Sequence, residues 1–481
     1  MAPPLRRARD RAALILLVSL AACGGREAAE SLFGRRATSP HERYAESLRE
    51  AGLADAALGR DWLAAAERAL TAPLPLVAPL PYREEGYFSP TEPTAVALRV
   101  RPRRGQHLTV RVERAPGAEP YTIFVDLFEA PAVDSAVRGS ATTTAAPPPR
   151  LVASADSGSG TIEHDADREG VAYLVRLQPE LLRGGRYTLT IATGPSLAFP
   201  VAGRSRTAVQ SFFGADRDAG SRRHEGVDIF APRGTPVLAA APGIVTNTGV
   251  TTLGGRVVWV RDATRGQSLY YAHLDSQIAH PGERVQIGDT LGLVGNTGNA
   301  RTTPPHLHFG VYRRGEGAVD PFPFIDTRQP EPPRTTADTS ALGELRSVAA
   351  RAGASLTRVA SSGPGAPRVT LLPAETALRV EGASGSLYRV RLPDGSQGFV
   401  AARLTSDEPR TLASARSGRP ARSGAILARP AAGAEVIDSV PSGEARTTRV
   451  IGRWDEYLLV RTERGRLGWL AGDAGATGRA E

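Results

Sequence analysis

Alternation of apolar and polar residues is the clearest pattern in the second quarter of the chain. The segments HLTVRVER (107–114) and TIFVDLFE (122–129) alternate with a period of two, as do YLVRL (173–177) and YTLTIA (187–192). A period of two is typical of half-buried strands, and turn sequences such as RRGQ and RGGR separate these segments. We therefore predict a β-sandwich over residues 91–203.

The N-terminal part of the chain follows a different pattern. Four arginines precede an apolar run from Ala12 to Ala22, which is too short to span a bilayer and is typical of a signal-peptide core. Ser39-Pro40-His41-Glu42 has the form of a capping box with proline at the first helical position. A second helical pattern covers about residues 61–70. We predict a signal peptide over residues 1–22 and a helical spacer over residues 23–90.

An internal repeat occupies the C-terminal part. RVEGASGSLYRVRLPDGSQGFV (379–400) aligns without a gap with RVIGRWDEYLLVRTERGRLGWL (449–470), and Phe399 then corresponds to Trp469. The two copies, over residues 346–408 and 420–475, resemble bacterial SH3-like barrels. A proline-rich linker over residues 328–345 precedes them. We expect Phe399 and Trp469 to offer a shallow groove for a peptide or a glycan; the alternative is two structural barrels without a ligand.

Composition agrees with a mainly β, multidomain protein. The chain has 481 residues, 51 glycines and 38 prolines, which suits short strands joined by many turns. The net charge of +9 is carried by arginine alone, which favours anionic surfaces unless it reflects a codon bias. Aromatic residues do not interleave with basic clusters in a known nucleic-acid module, so we expect no nucleic-acid partner. Oligomeric state is left open.

The only cysteine indicates how the chain is anchored. The apolar run ends in LAAC, and Cys23 is its last residue. This sequence resembles the lipobox of bacterial lipoproteins, in which the peptide is cleaved before the cysteine and the thiol is lipidated. Gly24 and Gly25 follow, where an aspartate would indicate retention at the inner membrane. The resemblance implies a lipid-anchored protein of the bacterial cell envelope, on the periplasmic face of the outer membrane.

Five of the eight histidines lie between residues 224 and 308. In HEGVDIFAP, Gly226, the β-branched residues and a proline favour a strand, so His224 and Asp228 lie on one face and Gly226 leaves that face open. In HLHFGVY the apolar residues alternate into a core, so His306 and His308 project together from the opposite face. A third histidine, His273, lies in YYAHL.

Imidazole nitrogens together with one carboxylate form a zinc-type ligand set. Three protein ligands leave a position for water and make such a site catalytic, and histidines outside the coordination shell suit proton transfer and oxyanion stabilisation. The spacing does not say which histidines are ligands. A pair of histidines on an exposed strand without any metal is the plain alternative for HLHFGVY taken by itself.

HEGVDIFAPRGTPV, YYAHL and HLHFG, in this order, resemble the M23 (LytM, lysostaphin-like) family of zinc metallopeptidases. The resemblance covers residues 204–327 and implies an antiparallel β domain that hydrolyses peptide cross-links of bacterial peptidoglycan. It implies Zn²⁺ as the cofactor. The implied metal ligands are His224, Asp228 and His308, and the implied catalytic pair is His273 and His306.

The chain departs from the family pattern at two places, and two other functions compete with peptidoglycan hydrolysis. Many members of the family carry glutamate after the phenylalanine, where this chain has Gly310, and the loop at 295–305 is slightly longer than usual. The first rival is a non-catalytic LytM-type regulator that activates other cell-wall hydrolases, and the second is a wall-binding scaffold. Arg222 and Arg223 are candidates for contact with a substrate carboxylate. The bond cleaved and the stem-peptide chemistry are left open.

Overall fold

The computed structural model describes residues 39–76, 80–116, 120–130, 147–156, 160–217, 220–359, 368–407, 410–411, 424–441 and 448–471. Cys23 and the predicted signal peptide lie outside these residues. Among the helices of the described ranges, none has both the length and the apolar character needed to cross a bilayer. Strands predominate throughout the described chain, so the predicted mainly β class is confirmed.

Two helices come first in the described chain. They are α1 (Pro40–Glu50) and α2 (Ala57–Thr71). The capping box predicted at the start of α1 is present, because the hydroxyl of Ser39 accepts a hydrogen bond from the backbone N–H of Glu42 at 3.1 Å. In return, the Glu42 carboxylate accepts one from the Ser39 N–H at 2.9 Å. Single 3₁₀ turns elsewhere span Leu53–Asp55, Arg206–Ala208, Gly298–Ala300, Thr339–Ala341 and Ala402–Leu404.

An aromatic cluster attaches these helices to the sandwich. The Trp62 side chain is 1% exposed, and its indole N–H donates to the carbonyl of Pro179 at 2.8 Å. The His41 ring stacks on Trp62 with centroids 4.8 Å apart and meets Phe124 edge-on at 5.6 Å. The helical segment predicted as a spacer is therefore packed against the body of the protein rather than extended away from it.

The sandwich has two layers. Its described strands are β1 (Leu74–Pro75), β2 (Tyr82–Phe88), β3 (Val96–Val100), β4 (Gln106–Arg114), β5 (Ile123–Ala130), β6 (Arg150–Ser154), β7 (Thr161–Asp165), β8 (Ala172–Pro179) and β9 (Gly185–Pro195). One sheet has the order β1-β3-β8-β5-β6, and the other contains β2-β9-β4-β7. Apolar side chains from both sheets share one core, including Leu98 and Val175 from the first and Val110 and Leu189 from the second. Val110, Val175 and Leu189 come from the segments whose alternation predicted strands.

The third region consists of an antiparallel sheet and a separate two-stranded sheet. Its strands are β10 (Val209–Ser211), β11 (Asp216–Arg217), β12 (Arg222–Arg223), β13 (Val227–Phe230), β14 (Pro236–Leu238), β15 (Gly243–Thr251), β16 (Gly255–Asp262), β17 (Gln267–Gln277), β18 (Arg284–Val285), β19 (Thr290–Val294), β20 (His306–Arg313) and β21 (Gly317–Val319), followed by the short helix α3 (Phe322–Ile325). Strands β11 and β12 form the two-stranded sheet, and the main path through the other sheet is β10-β13-β20-β17-β16-β15-β18. Strands β13, β20 and β17 are therefore neighbours, which brings the three histidine motifs together.

The C-terminal repeats form the last two regions. The first contains β22 (Leu345–Val348), β23 (Ala354–Thr357), β24 (Arg368–Leu372), β25 (Ala377–Ser384), β26 (Leu387–Arg391), β27 (Gln397–Ala401) and β28 (Thr405–Ser406). The second contains β29 (Arg410–Thr411), β30 (Gly424–Leu427), β31 (Val436–Val440), β32 (Arg449–Trp454), β33 (Tyr457–Arg461) and β34 (Leu467–Ala471). Strands β25-β26-β27 and β32-β33-β34 pair alike, and the register shifts at the same place in both copies, just after Val380 and just after Val450.

Each repeat packs against the region before it through equivalent residues. Strand β25 pairs with β2 of the sandwich, with Gly382 opposite Gly86, and Phe399 is 1% exposed within the sandwich core. Trp469 of the second repeat is 8% exposed and packs in a cluster with Ala377 of the first. The expectation that Phe399 and Trp469 line an open groove is therefore wrong, because both rings are buried at these junctions.

A buried ion pair secures the first junction. The guanidinium of Arg389 donates to the Glu84 carboxylate at 3.1 Å and to the Glu381 carboxylate at 2.9 Å, and Arg389 and Glu84 are each 1% exposed at the side chain. Removing one partner of such a pair leaves an uncompensated charge in the interior. Deleting the repeats would have the same effect on Glu84, so this deletion is expected to disturb the sandwich itself.

We expect Arg389→Ala to lower the free energy of unfolding by about 3–5 kcal/mol, the usual cost of orphaning a buried charge. Denaturant unfolding of the soluble chain measures the change. Arg453→Ala is the matched control, because Arg453 is exposed and 3.9 Å from Glu375, and an exposed pair contributes at most about 1 kcal/mol. Equal stability of the two variants would contradict the prediction.

Candidate active site

Strands β13 and β20 create the floor of the site. They pair antiparallel, with Asp228 directly opposite His308 and Val227 opposite Phe309. Val227 and Phe309 are fully buried in the core of the sheet. Because side chains alternate along a strand, Asp228 and His308 face each other on the other side of the sheet. His306, two residues before His308, lies on that side as well, as the alternation predicts.

His224 completes a compact cluster from the loop that precedes β13. Its Nε2 lies 3.0 Å from Oδ1 of Asp228 and 3.0 Å from Nδ1 of His308, and the last two atoms are 3.1 Å apart. A tetrahedral zinc with ligands at about 2.0–2.1 Å separates neighbouring ligand atoms by about 3.3 Å. In the described residues these three side chains form the one group of metal-binding type. The spacing and the donor set both fit a zinc ion.

Hydrogen bonding and burial keep the three groups in the form that binds a metal. The backbone carbonyl of Phe212 accepts a hydrogen bond from Nδ1 of His224 at 2.9 Å, which leaves Nε2 with its lone pair directed at the cluster. Burial lowers the pKa of His308. Burial alone would raise the pKa of Asp228, but the close contacts of its carboxylate with His224 and His308 outweigh burial and hold that pKa below its usual value. The imidazole of His308 is therefore neutral and the carboxylate ionised at neutral pH, as metal binding requires.

Gly226 makes room for this cluster. A Cβ at this position would lie 2.7 Å from the ring of His308 and 2.5 Å from the carbonyl oxygen of Phe309. The open face predicted at Gly226 is therefore occupied by an imidazole, and any larger residue would displace a candidate ligand.

The two remaining histidines lie beside the cluster with their rings 5.0 Å apart. Nδ1 of His306 donates to the carbonyl of Pro304 at 2.9 Å, and Nδ1 of His273 donates to the carbonyl of Thr297 at 2.9 Å. A carbonyl can only accept, so in the neutral form of each ring Nε2 is the nitrogen without a proton. Nε2 of His306 lies 3.9 Å from Oδ1 of Asp228.

An irregularity in β17 turns His273 towards the site. Tyr271 and Leu274 both point into the core although they are three residues apart, so alternation breaks between them. His273 has a φ of 62°, a left-handed conformation that is rare for residues other than glycine. Burial, with smaller contributions from His308 and His306, lowers the pKa of His273 to about 4. The ring is therefore neutral at neutral pH and can accept a proton.

Arg217 is a site residue that sequence reasoning did not identify. Its guanidinium donates to Oδ2 of Asp228 at 2.7 Å and to the hydroxyl of Ser211 at 2.6 Å. Of the two arginines that were predicted, Arg222 lines the cleft above the cluster. Arg223 instead pairs with Asp216 at 2.7 Å and is exposed. No spacing rule connects Arg217 to Asp228, because the short hairpin of β11 and β12 places it there.

A cleft of about 430 Å³ opens over the five polar residues. One of its walls is aromatic and carries Trp259, Tyr270 and Tyr312. The lining also includes Asn299 and Thr303 from the loop that appeared long in the sequence. A metal ion, two proton-accepting histidines and a narrow cleft are the parts that hydrolysis of an extended polymer requires.

Residues 222–321 match the family model of peptidase family M23. This segment is therefore similar to peptidase M23 domains. The match begins just before His224 and ends after β21, so the matched segment contains all three histidine motifs and every strand of the sheet around them except β10. The suspected family resemblance is confirmed for this part of the chain.

Curated relatives match this chain over part of their own length. The L-Ala–D-Glu endopeptidase of Bacillus subtilis is 37% identical over 139 residues, which cover 27% of this chain and 42% of the relative. The peptidoglycan DD-endopeptidase ShyC of Vibrio cholerae is 39% identical over 88 residues, which cover 18% of this chain and 20% of the relative. The chain thus spans less than half the length of these relatives. Among solved structures, the catalytic domain of lysostaphin from Staphylococcus simulans is similar, with 30% identity over 24% of this chain and 90% of that one, at a TM-score of 0.23.

Proposed function

We propose that this protein is a zinc metalloendopeptidase that hydrolyses peptide cross-links of bacterial peptidoglycan. The observation that carries the proposal is the cluster of His224, Asp228 and His308, whose ligand atoms lie 3.0–3.1 Å apart beside two histidines that are free to exchange protons. A relative named as a peptidoglycan DD-endopeptidase supports the substrate class, and another named as an L-Ala–D-Glu endopeptidase supports cleavage of a peptide bond. A protein that only regulates other hydrolases or only binds the wall would not need these three metal-binding side chains.

Each residue of the site has a distinct task under this proposal. His224, Asp228 and His308 would hold the zinc, which supplies Lewis acidity and a water that ionises near neutral pH. His306 and His273 present unprotonated Nε2 atoms to the cleft, so either can take up a proton during attack on the peptide carbonyl. Once protonated, the same nitrogen donates a hydrogen bond to the developing oxyanion or returns the proton to the leaving amine.

Digestion of purified peptidoglycan tests the proposal. The chain beginning at Gly24 is incubated with isolated sacculi, and the soluble products are identified by mass spectrometry. We expect muropeptides with one peptide bond hydrolysed, and no release in the presence of a zinc chelator. Intact sacculi, despite a full complement of zinc in the protein, would contradict hydrolysis and favour the regulatory function instead.

The guanidinium of Arg217 is expected to strengthen zinc binding, because it holds one oxygen of Asp228 and leaves the other directed at the cluster. Outer-shell partners of this kind typically change metal affinity by about 10–100-fold. We therefore expect Arg217→Ala to weaken zinc affinity by about that factor in competition with a chromophoric chelator. Arg261→Ala, at an exposed position on β16, is the control. Unchanged affinity in Arg217→Ala would contradict this role.

We also propose that the protein is lipidated at Cys23 and anchored at the periplasmic face of the outer membrane. The proposal rests on the LAAC sequence after an apolar run. Cys23→Ser is expected to move the protein from the membrane pellet to the soluble fraction, because one or more acyl chains would be lost. His308→Ala with Cys23 intact is the control and should still sediment. Continued sedimentation of Cys23→Ser would indicate another attachment.

The two repeats remain proposed SH3-like barrels. Their aromatic residues pack against the preceding regions, so we propose that they serve first as parts of a continuous body. Any contact with the wall would involve other faces of the repeats.

A further inference from the structure

Three aromatic side chains form a continuous wall that begins at the zinc-type cluster. The ring of Tyr270 lies 5.8 Å from the ring of His308, and Trp259 lies 4.4 Å from Tyr270. Tyr312 closes the group, with its ring 5.1 Å from Trp259 and 6.1 Å from Tyr270. All three side chains are partly exposed and line the cleft. We call this group, Trp259, Tyr270 and Tyr312, the aromatic wall.

Strand register explains why the aromatic wall is on the catalytic side of the sheet. Trp259 of β16 is opposite Tyr270 of β17, and Tyr270 is opposite Gly310 of β20. Gly310 is two residues from His308, so its position belongs to the face that carries the candidate ligands. The neighbours Tyr271 and Phe309 point into the core. The sheet thus separates a packed face from a face that carries both the cluster and the aromatic wall.

Gly310 is the residue that allows Tyr312 to join the wall. A Cβ at Gly310 would lie 2.9 Å from Cε2 of Tyr312 and 3.3 Å from the carbonyl oxygen of Glu225. The Tyr312 ring therefore lies back over Gly310, and its hydroxyl donates to the Glu225 carboxylate at 3.2 Å. Burial and the nearby Glu225 raise the pKa of Tyr312, so this hydroxyl remains a donor. At this position the chain carries glycine where many resembling sequences carry glutamate.

The aromatic side chains of the wall favour a ligand with a flat apolar face. Aromatic faces carry negative charge density and attract the weakly positive C–H groups of an apolar surface that lies flat against them. A pyranose ring offers such a surface, with its hydroxyl groups at the edge. In peptidoglycan each stem peptide begins at the lactyl group of a sugar, and a peptide residue spans about 3.3–3.6 Å. A sugar on the wall would place its stem peptide, and the cross-link that the stem carries, within reach of the cluster.

We infer that the aromatic wall binds the amino sugar to which the stem peptide is attached, so that the preferred substrates are stems still joined to the glycan. This inference rests on the proposed function for the polymer, but it concerns a subsite of the cleft and not the hydrolytic step. It also makes Trp259 and Tyr312 determinants of specificity. A wall that instead contacts only peptide would give no preference for the sugar.

Binding measurements separate these possibilities. The ligands are two disaccharide–tetrapeptides joined by a peptide cross-link and the same cross-linked peptide without its sugars, and the protein carries His306→Ala to prevent turnover. We expect at least tenfold tighter binding of the sugar-bearing ligand. Trp259→Ala should remove most of that preference, whereas Trp259→Phe, which keeps a ring, should retain much of it. Equal affinity for the two ligands, or an equal loss for both in Trp259→Ala, would overturn the inference.

Two further measurements keep the outcome unambiguous. Tyr312→Ala tests the wall independently if Trp259→Ala does not fold, and Tyr312→Phe should retain the sugar preference because it keeps the ring. Cleavage of both ligands is measured with His306 intact. Sugar-dependent binding without any cleavage would support the wall and contradict the proposed hydrolysis. Cleavage of both ligands at equal rates with equal affinity would contradict the wall and leave the hydrolysis standing.

Discussion

Replacing His308 with alanine is expected to abolish both zinc retention and peptidoglycan hydrolysis. Nδ1 of His308 lies 3.0 Å from Nε2 of His224 and 3.1 Å from Oδ1 of Asp228, so its removal leaves two ligands. Catalytic zinc sites use three protein ligands, and two hold the ion far more weakly. The measurements are metal content by mass spectrometry after gel filtration and release of soluble products from sacculi. Activity should fall to the background of a chelator-treated sample.

The same loss is expected for His224→Ala and for Asp228→Asn, which keeps the shape of the side chain but removes its charge. His280→Ala is the matched control, because His280 is exposed and lies in a turn away from the cleft. It should bind one zinc per chain and retain full activity. One zinc per chain in purified His308→Ala would exclude His308 as a ligand and would require a different third donor.

Period-two alternation predicted much of the structure, because it follows from a rule that holds within a single strand. It predicted the strands of the sandwich, and it placed His306 and His308 on the face opposite Leu307 and Phe309. It also placed His224 and Asp228 on the same side of the chain. These predictions need no knowledge of neighbouring strands, since side-chain direction depends only on the local backbone.

Contacts between distant strands could not be predicted in the same way. His273 reaches the site through a left-handed residue in β17, which reverses the side on which alternation would place it. Arg217 reaches Asp228 because two strands of two residues each form a hairpin before the HEGVD motif. In both cases the residue is visible in the sequence, but the backbone conformation that directs its side chain to the site is not. A positive φ at a histidine has no reliable sequence signal.

The repeats show how a correct pattern can lead to a wrong function. Their alignment predicted matching strands, and the structure has matching strands with matching register shifts. An aromatic residue beside a glycine looked like a ligand platform in each copy. The glycine instead packs inside its own repeat, since a Cβ at Gly398 would lie 2.7 Å from Leu356 and a Cβ at Gly468 would lie 2.2 Å from Ile426. Burial by a neighbouring domain is not visible in a local pattern.

His306→Ala and His273→Ala are expected to retain zinc while losing turnover by on the order of 10²-fold or more, the usual contribution of one proton-transfer or oxyanion group. Neither ring belongs to the cluster of three donor atoms, and each is held by its own carbonyl, from Pro304 and Thr297 respectively. The loss should appear in kcat more than in KM, since these nitrogens act as charge develops in the transition state.

Metal content and steady-state kinetics on a soluble cross-linked muropeptide measure the two effects separately. Because the His273 backbone is in a left-handed conformation, His273→Asn is a useful second variant, since asparagine tolerates that conformation better than alanine does. Zinc loss in His273→Ala but not in His273→Asn would point to backbone disturbance rather than ligation. Zinc loss in His306→Ala together with zinc retention in His308→Ala would instead reverse the roles of the two histidines of HLHFGVY, and His306 would then be the ligand.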